Sequence, residues 1–193
     1  MKHVIALDVG GTGMKAALVG ADGALLYEAR RPTGRERGPD AVVETILSFA
    51  ADLRDHGAEH FGEGALAAGV AIPGIVDAEN GIAVYAANLG WDNVPMRDLL
   101  AERLGGVPVA LGHDVRTGGL AEGRLGAGKG ADRFLFIPLG TGIAGAIGIN
   151  GAIEAGAHGY AGEIGHVVVR PDGPECGCGQ RGCMETIASA AAV

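Results

Sequence analysis

The sequence holds no apolar run of roughly eighteen residues, the length a helix needs to cross a bilayer. Its opening stretch, MKHVIALDVGGT, reaches an aspartate and glycines before the apolar core of a signal peptide can form. These two absences point away from a membrane and toward the cytoplasm. Basic clusters are also missing beyond ARRPTGRER, and 15 basic against 23 acidic residues give a net charge of -8. Neutralising a phosphate backbone takes a basic face, so a nucleic-acid partner is not expected. Neither the P-loop pattern GxxxxGK[ST] nor a GxGxxG that opens a helix occurs, and no repeat of fixed period is visible. Cysteine is scarce, at three residues confined to Cys176, Cys178 and Cys183. An odd number at such short separations excludes a disulfide framework and suits a reducing compartment and a metal site.

What is present suits a soluble globular chain. The 193 residues are 48% hydrophobic, enough for one large or two small cores, and the 36 glycines are scattered through patterned segments, as tight turns require. HVIALDV (3–9), MKAALV (14–19) and ALLYEAR (24–30) read as consecutive strands, the first two joined through GGTG. Apolar residues at helical spacing predict a helix over 39–56, with Gly57 as its stop. Strands are expected at 66–72, 82–86 and 107–111, and a helix from Pro95 to Gly105. A further helix is expected over 115–125, then strands at 133–139 and 143–150. ETIASAAAV looks like the first two turns of a last helix. Strands alternating with helices predict an α/β architecture of two domains, residues 1–112 and 113–193, the second incomplete.

Two glycine turns carry the first chemistry. After the first strand, Asp8-Val9-Gly10-Gly11-Thr12-Gly13-Met14-Lys15 presents backbone N–H groups unobstructed by side chains, with the Thr12 hydroxyl and the Lys15 charge beside them. Leu139-Gly140-Thr141-Gly142 repeats the strand, turn, strand arrangement. Two such turns across a cleft can grip a polyphosphate from both sides, with Asp8 holding magnesium through water. This arrangement resembles the actin-like and hexokinase-like ATPase fold, which is ribonuclease H-like. Between the turns, an apolar strand ends in Gly112-His113-Asp114, placing a carboxylate at a loop-to-helix junction. Asp114 is the candidate base for a hydroxyl proton, with helix capping as its alternative role.

The segment GEIGHVVVRPDGPECGCGQRGCMET (162–186) offers His-x9-Cys-x-Cys-x4-Cys from His166, Cys176, Cys178 and Cys183. One imidazole and three thiolates form a closed tetrahedral set that suits structural zinc. Glu163 and Glu185 flank it, so a bound ion would fix two carboxylates able to hold sugar hydroxyls.

Taken in order, Asp8-x-Gly10-Gly11-Thr12-x-x-Lys15, Asn88-Leu89-x-Trp91, Asp114, Leu139-Gly140-Thr141-Gly142, Glu163-Ile164-Gly165-His166 and Cys176-x-Cys178-Gly179-x-x-Gly182-Cys183-x-Glu185 resemble the ROK family (repressors, open reading frames and kinases), above all its bacterial glucokinases. The resemblance covers nearly the whole chain. It implies an ATP-dependent hexose kinase, with glucose the first substrate expected and N-acetylmannosamine or N-acetylglucosamine as alternatives. By resemblance, Asp114 activates the sugar hydroxyl. Asn88, His113, Glu163, His166 and Glu185 contact the sugar. Asp8, Gly10, Gly11, Thr12, Lys15, Gly140, Thr141 and Gly142 surround ATP and Mg2+, and His166 also ligates Zn2+. A homodimer is expected on the same ground.

Two departures stand out. The family places asparagine before the base where this chain has His113, which alters the expected sugar choice. Family kinases also continue for roughly another hundred residues, which implies a fragment with impaired ATP affinity. A catalytically inactive sugar-binding protein is therefore a competing expectation. The family's sugar-responsive repressors are not expected, because the phosphate turn begins at residue 8 and leaves no room for a DNA-binding domain ahead of it.

Overall fold

The computed structural model describes all 193 residues, which divide into two compact units, Met1–Asp114 and Val115–Val193. In the first, β1 (His3–Val9) runs antiparallel to β2 (Gly13–Gly20), and β2 to β3 (Leu25–Pro32). The alternation read from HVIALDV is real: Ile5, Leu7 and Val9 are buried while Val4, Ala6 and Asp8 face outward. Helix α1 (Pro39–Phe61) lays Val42, Ile46, Phe49, Ala50 and Leu53 into the same core as the buried face of β1. Each such large side chain contributes about 1.5–3 kcal/mol on burial.

Helix α1 outruns the expectation by five residues, Gly57 to Phe61. Gly57 does not stop it. That glycine is buried in the helix interior because the ring of His3 occupies the space where its Cβ would stand. The helix ends instead at Gly62, whose φ of 74° supplies the left-handed cap.

Strand β4 (Ala68–Ile72) then pairs in parallel with β1. A small antiparallel sheet follows, of β5 (Ile75–Asp77), β6 (Ile82–Ala86) and β7 (Trp91–Val94) in the order β5-β6-β7. It encloses Trp91, which is 1% exposed. Helix α2 (Met96–Arg103) leads to β8 (Val109–His113), which pairs in parallel with β4 and completes a five-stranded sheet of order β3-β2-β1-β4-β8. Strand β8 runs two residues past the expected end, so Asp114 is the first residue of α3 (Asp114–Leu125).

The second unit is built on β9 (Arg133–Phe136), β10 (Ala146–Ile149) and β11 (Ala152–Ile153), an antiparallel sheet of order β11-β10-β9. The strands are shorter than expected, because residues 137 to 145 form the turn that carries Gly140 to Gly142. Beyond a glycine-rich loop, α4 (Glu185–Ala188) makes one turn where two were expected. Ser189 ends it in an extended conformation, with ψ at 162°. No helix is long and apolar enough to cross a membrane.

Candidate functional site

In the first unit, parallel pairing aligns Asp8 with Ala71 and Ala71 with Gly112, so the carboxyl ends of β1, β4 and β8 share one edge of the sheet. That edge carries Asp8 and, two residues past Gly112, Asp114. Open parallel sheets place ligands at such an edge. Lys15 lies directly across from Asp8 in the β1–β2 register, on the outward face.

The turn from Gly10 to Thr12 is closed by Gly10 N–H donating to the Gly13 carbonyl at 3.0 Å. The buried Thr33 braces it, donating its Oγ1–H to the Gly10 carbonyl at 2.6 Å and its N–H to the Thr12 carbonyl at 3.1 Å. Sequence reasoning did not single out Thr33, which follows β3 in an otherwise unremarkable stretch. Asn88, in the turn between β6 and β7, reaches the same place. Its Nδ2 lies 2.9 Å from where a Cβ on Gly11 would stand, so the amide packs against the backbone of the turn. Beside the sheet edge, His113 Nδ1 is 3.4 Å from Asp114 Oδ1, and both side chains are largely buried.

In the second unit, Gly140 N–H donates to the Gly142 carbonyl at 3.1 Å and closes the other turn. The metal-ligand candidates converge there too: the ligand atoms of His166, Cys176, Cys178 and Cys183 all lie within 4.8 Å of one another. Cys178 Sγ is 3.7 Å from Cys183 Sγ, and His166 Nδ1 is 3.6 Å from Cys176 Sγ. Bond lengths of about 2.3 Å to sulfur and 2.0 Å to nitrogen give tetrahedral edges of about 3.8 and 3.5 Å, so the residues fit a zinc ion. Gln180 donates from Nε2 to the His166 carbonyl at 3.3 Å and to Cys178 Sγ at 3.6 Å, a bracing role that the spacing of the cysteines did not reveal.

The thiols are unequal. Burial pushes Cys176 up to about 12 and raises Cys183, whereas the Gln180 backbone N–H aimed at its sulfur brings Cys178 down to about 7. His166 turns Nδ1 toward the thiols and Nε2 toward Glu163, whose Oε2 is 3.8 Å away. Glu185 lies on the other side, with Oε1 3.7 Å from His166 Nδ1 and accepting the Cys176 S–H at 3.2 Å. The second unit thus gathers two carboxylates and an imidazole around a thiol cluster.

The ROK family profile matches residues 4–193. The chain is 40% identical over 191 residues to the glucokinase of Thermotoga maritima, covering 98% of itself and 58% of that protein. It is 33% identical over 186 residues to the N-acetylmannosamine kinase of Shigella boydii serotype 18, covering 96% of itself and 60% of the relative. Among solved structures, a ROK family glucokinase from Streptomyces griseus in complex with glucose and AMPPNP superposes with a TM-score of 0.84 at 34% identity, covering 98% of this chain and 58% of that one. The chain therefore spans about 58% of the length of the curated glucokinases it matches.

Proposed function

The chain belongs to the ROK family, and from that premise we propose that it is part of an ATP-dependent hexose kinase whose first substrate is glucose. The observation that carries the reading is the shared edge of β1, β4 and β8, which sets Asp8 and Asp114 at carboxyl ends of neighbouring parallel strands beside a glycine turn. In this reading Asp114 accepts the proton of the attacking hydroxyl, since an alcohol becomes a nucleophile toward phosphorus as it loses that proton. Asp8 holds Mg2+ through water, and Gly10, Gly11, Thr12 and Lys15 meet the phosphates with N–H groups, a hydroxyl and a positive charge. Gly140, Thr141 and Gly142 do the same from the second unit.

Glu163, His166, Glu185, Asn88 and His113 select the sugar through its hydroxyls. A zinc ion on His166 Nδ1 and the three thiols is structural, since four protein ligands leave no position for substrate. The Nε2 of His166 stays available for a hydroxyl, with Glu163 beside it.

The relative named N-acetylmannosamine kinase supports a second reading, in which the sugar carries a 2-acetamido group. Sugar-dependent ADP release, measured with Mg2+, ATP and a panel of glucose, N-acetylmannosamine, N-acetylglucosamine and fructose, separates the two. Turnover with glucose above the others is expected. Turnover confined to an N-acetylated sugar selects the second reading. Silence with every sugar, together with glucose binding measured by calorimetry, would support an inactive fragment or a sugar-binding protein and count against turnover by this chain.

A further inference from the structure

The second glycine turn is not held by its own strands. Strand β9 ends at Phe136 and β10 begins at Ala146, so Leu139 to Gly142 hang between them. Within that link the turn has one backbone hydrogen bond, Gly140 to Gly142, and the isolated bridge of Leu139 with Ile143. Beyond the Gly145 N–H that donates to the Gly162 carbonyl at 2.7 Å, support for the turn comes from the far end of the chain. Ala190 N–H donates to the Gly140 carbonyl at 2.9 Å. Glu185 Oε2 lies 2.8 Å from the point where a Cβ on Gly142 would stand, so the carboxylate rests against the turn's backbone.

Both contacts come from a segment rooted in the metal loop. Cys183, a metal-ligand candidate, accepts the Thr186 N–H at 3.0 Å and the Thr186 hydroxyl at 2.7 Å. Met184 N–H donates to the carbonyl of Val167, the neighbour of His166, at 2.9 Å. From there α4 advances one turn, and the buried, extended Ser189 turns the chain so that Ala190 meets Gly140.

The geometry points to a strap: residues Glu185 to Ala190 carry the order of the metal loop to the second phosphate turn, so that the ion sets the nucleotide side of the site as well as the sugar side. Ala190 and Glu185 are positioning residues in this scheme. The inference rests on Gly140 to Gly142 being a phosphate turn, but the mechanical link can be measured without nucleotide.

The test is amide hydrogen exchange on the zinc-loaded 193-residue chain and its Ala190→Pro variant. Proline removes the N–H, and the extended Ser189 already has the backbone that a residue before proline prefers, so the change need not bend the chain. Exchange of the Gly140 to Ile143 amides should quicken by about fivefold, the worth of one hydrogen bond. The β10 amides should keep their rate and zinc should stay bound one per chain. An unchanged turn with zinc retained would overturn the strap. A second variant, Cys178→Ser, weakens the metal loop from its exposed ligand and should quicken the same turn amides. Opening of residues 166–183 with the turn unaffected would also overturn it. ATP binding, measured separately, tests the phosphate reading and leaves these exchange rates as they are.

Discussion

Asp114 is the residue to which the proposed reading assigns the base. It begins α3 directly after β8, with His113 at 3.4 Å. A helix-capping aspartate and a catalytic base differ in what asparagine does to them, because asparagine caps nearly as well as aspartate but cannot accept a proton. Asp114→Asn is therefore expected to leave thermal stability and sugar binding within twofold or so while lowering kcat by about 10²–10⁴. Calorimetric glucose titration beside single-turnover kinetics reads both quantities. An unchanged kcat beside unchanged stability would mark a capping residue.

The thiols give a second residue-scale expectation. Zinc takes thiolates, so each cysteine still protonated in the metal-free chain releases a proton on binding. Near pH 6 all three are protonated. Near pH 8 Cys178, lowered to about 7, is already ionised, whereas burial keeps Cys176 and Cys183 protonated. Binding should then release about three thiol protons near pH 6 and about two near pH 8. The thiols alone make apparent affinity rise with pH across the whole interval, more steeply at the acid end than at the other. Calorimetry in buffers of different ionisation enthalpy counts the protons. Equal counts at both pH values would show that the Gln180 N–H does not lower Cys178.

At the scale of elements, α1 shows where glycine misleads. Alanine in a helix interior normally gains about 1 kcal/mol over glycine. At Gly57 the added methyl meets the ring of His3, which is 1% exposed and tied through Nδ1 to the Met1 carbonyl. Overpacking of this kind costs about 1–3 kcal/mol, so Gly57→Ala should lower the urea midpoint despite its better propensity. A raised midpoint would mean that the His3 ring moves aside freely.

The same contrast governs what could be read in advance. The strand of residues 3–9 and the apolar stripe of α1 were legible because alternation and helical spacing are local patterns. Strands β5 and β7 were not, since each is short and Trp91 to Val94 carries two exposed polar residues in four. In the candidate site the cysteine spacing was legible because its ligands lie close in sequence. Thr33 on Gly10, Asn88 on Gly11 and Glu185 on Gly142 join distant segments, and no local pattern marks such contacts.

Across the whole molecule the apolar core is unequally shared. The contiguous cluster of buried residues runs from Ile5 to Leu111, wholly within the first unit. In the second unit the buried hydrophobic residues are Ile143, Ala146, Cys176 and Cys183, and two of these four are thiols of the metal loop. Leu125, Leu135, Leu139 and Val169 of that unit are at least half exposed. With so little apolar burial, an ion on this ligand set, worth on the order of 10 kcal/mol on binding, is the proposed source of much of the order there. Removing zinc with a strong chelator should therefore disorder residues 115–193 and spare the first unit. Trp91, the only tryptophan and 1% exposed, reports on the first unit alone. Its emission should stay blue-shifted while amide exchange over the second unit accelerates by orders of magnitude, and added zinc should reverse the change. A red shift of Trp91 on chelation would mean that the first unit's core does not stand without the metal, and the unequal division of buried residues would then be no guide to which half of the chain depends on zinc.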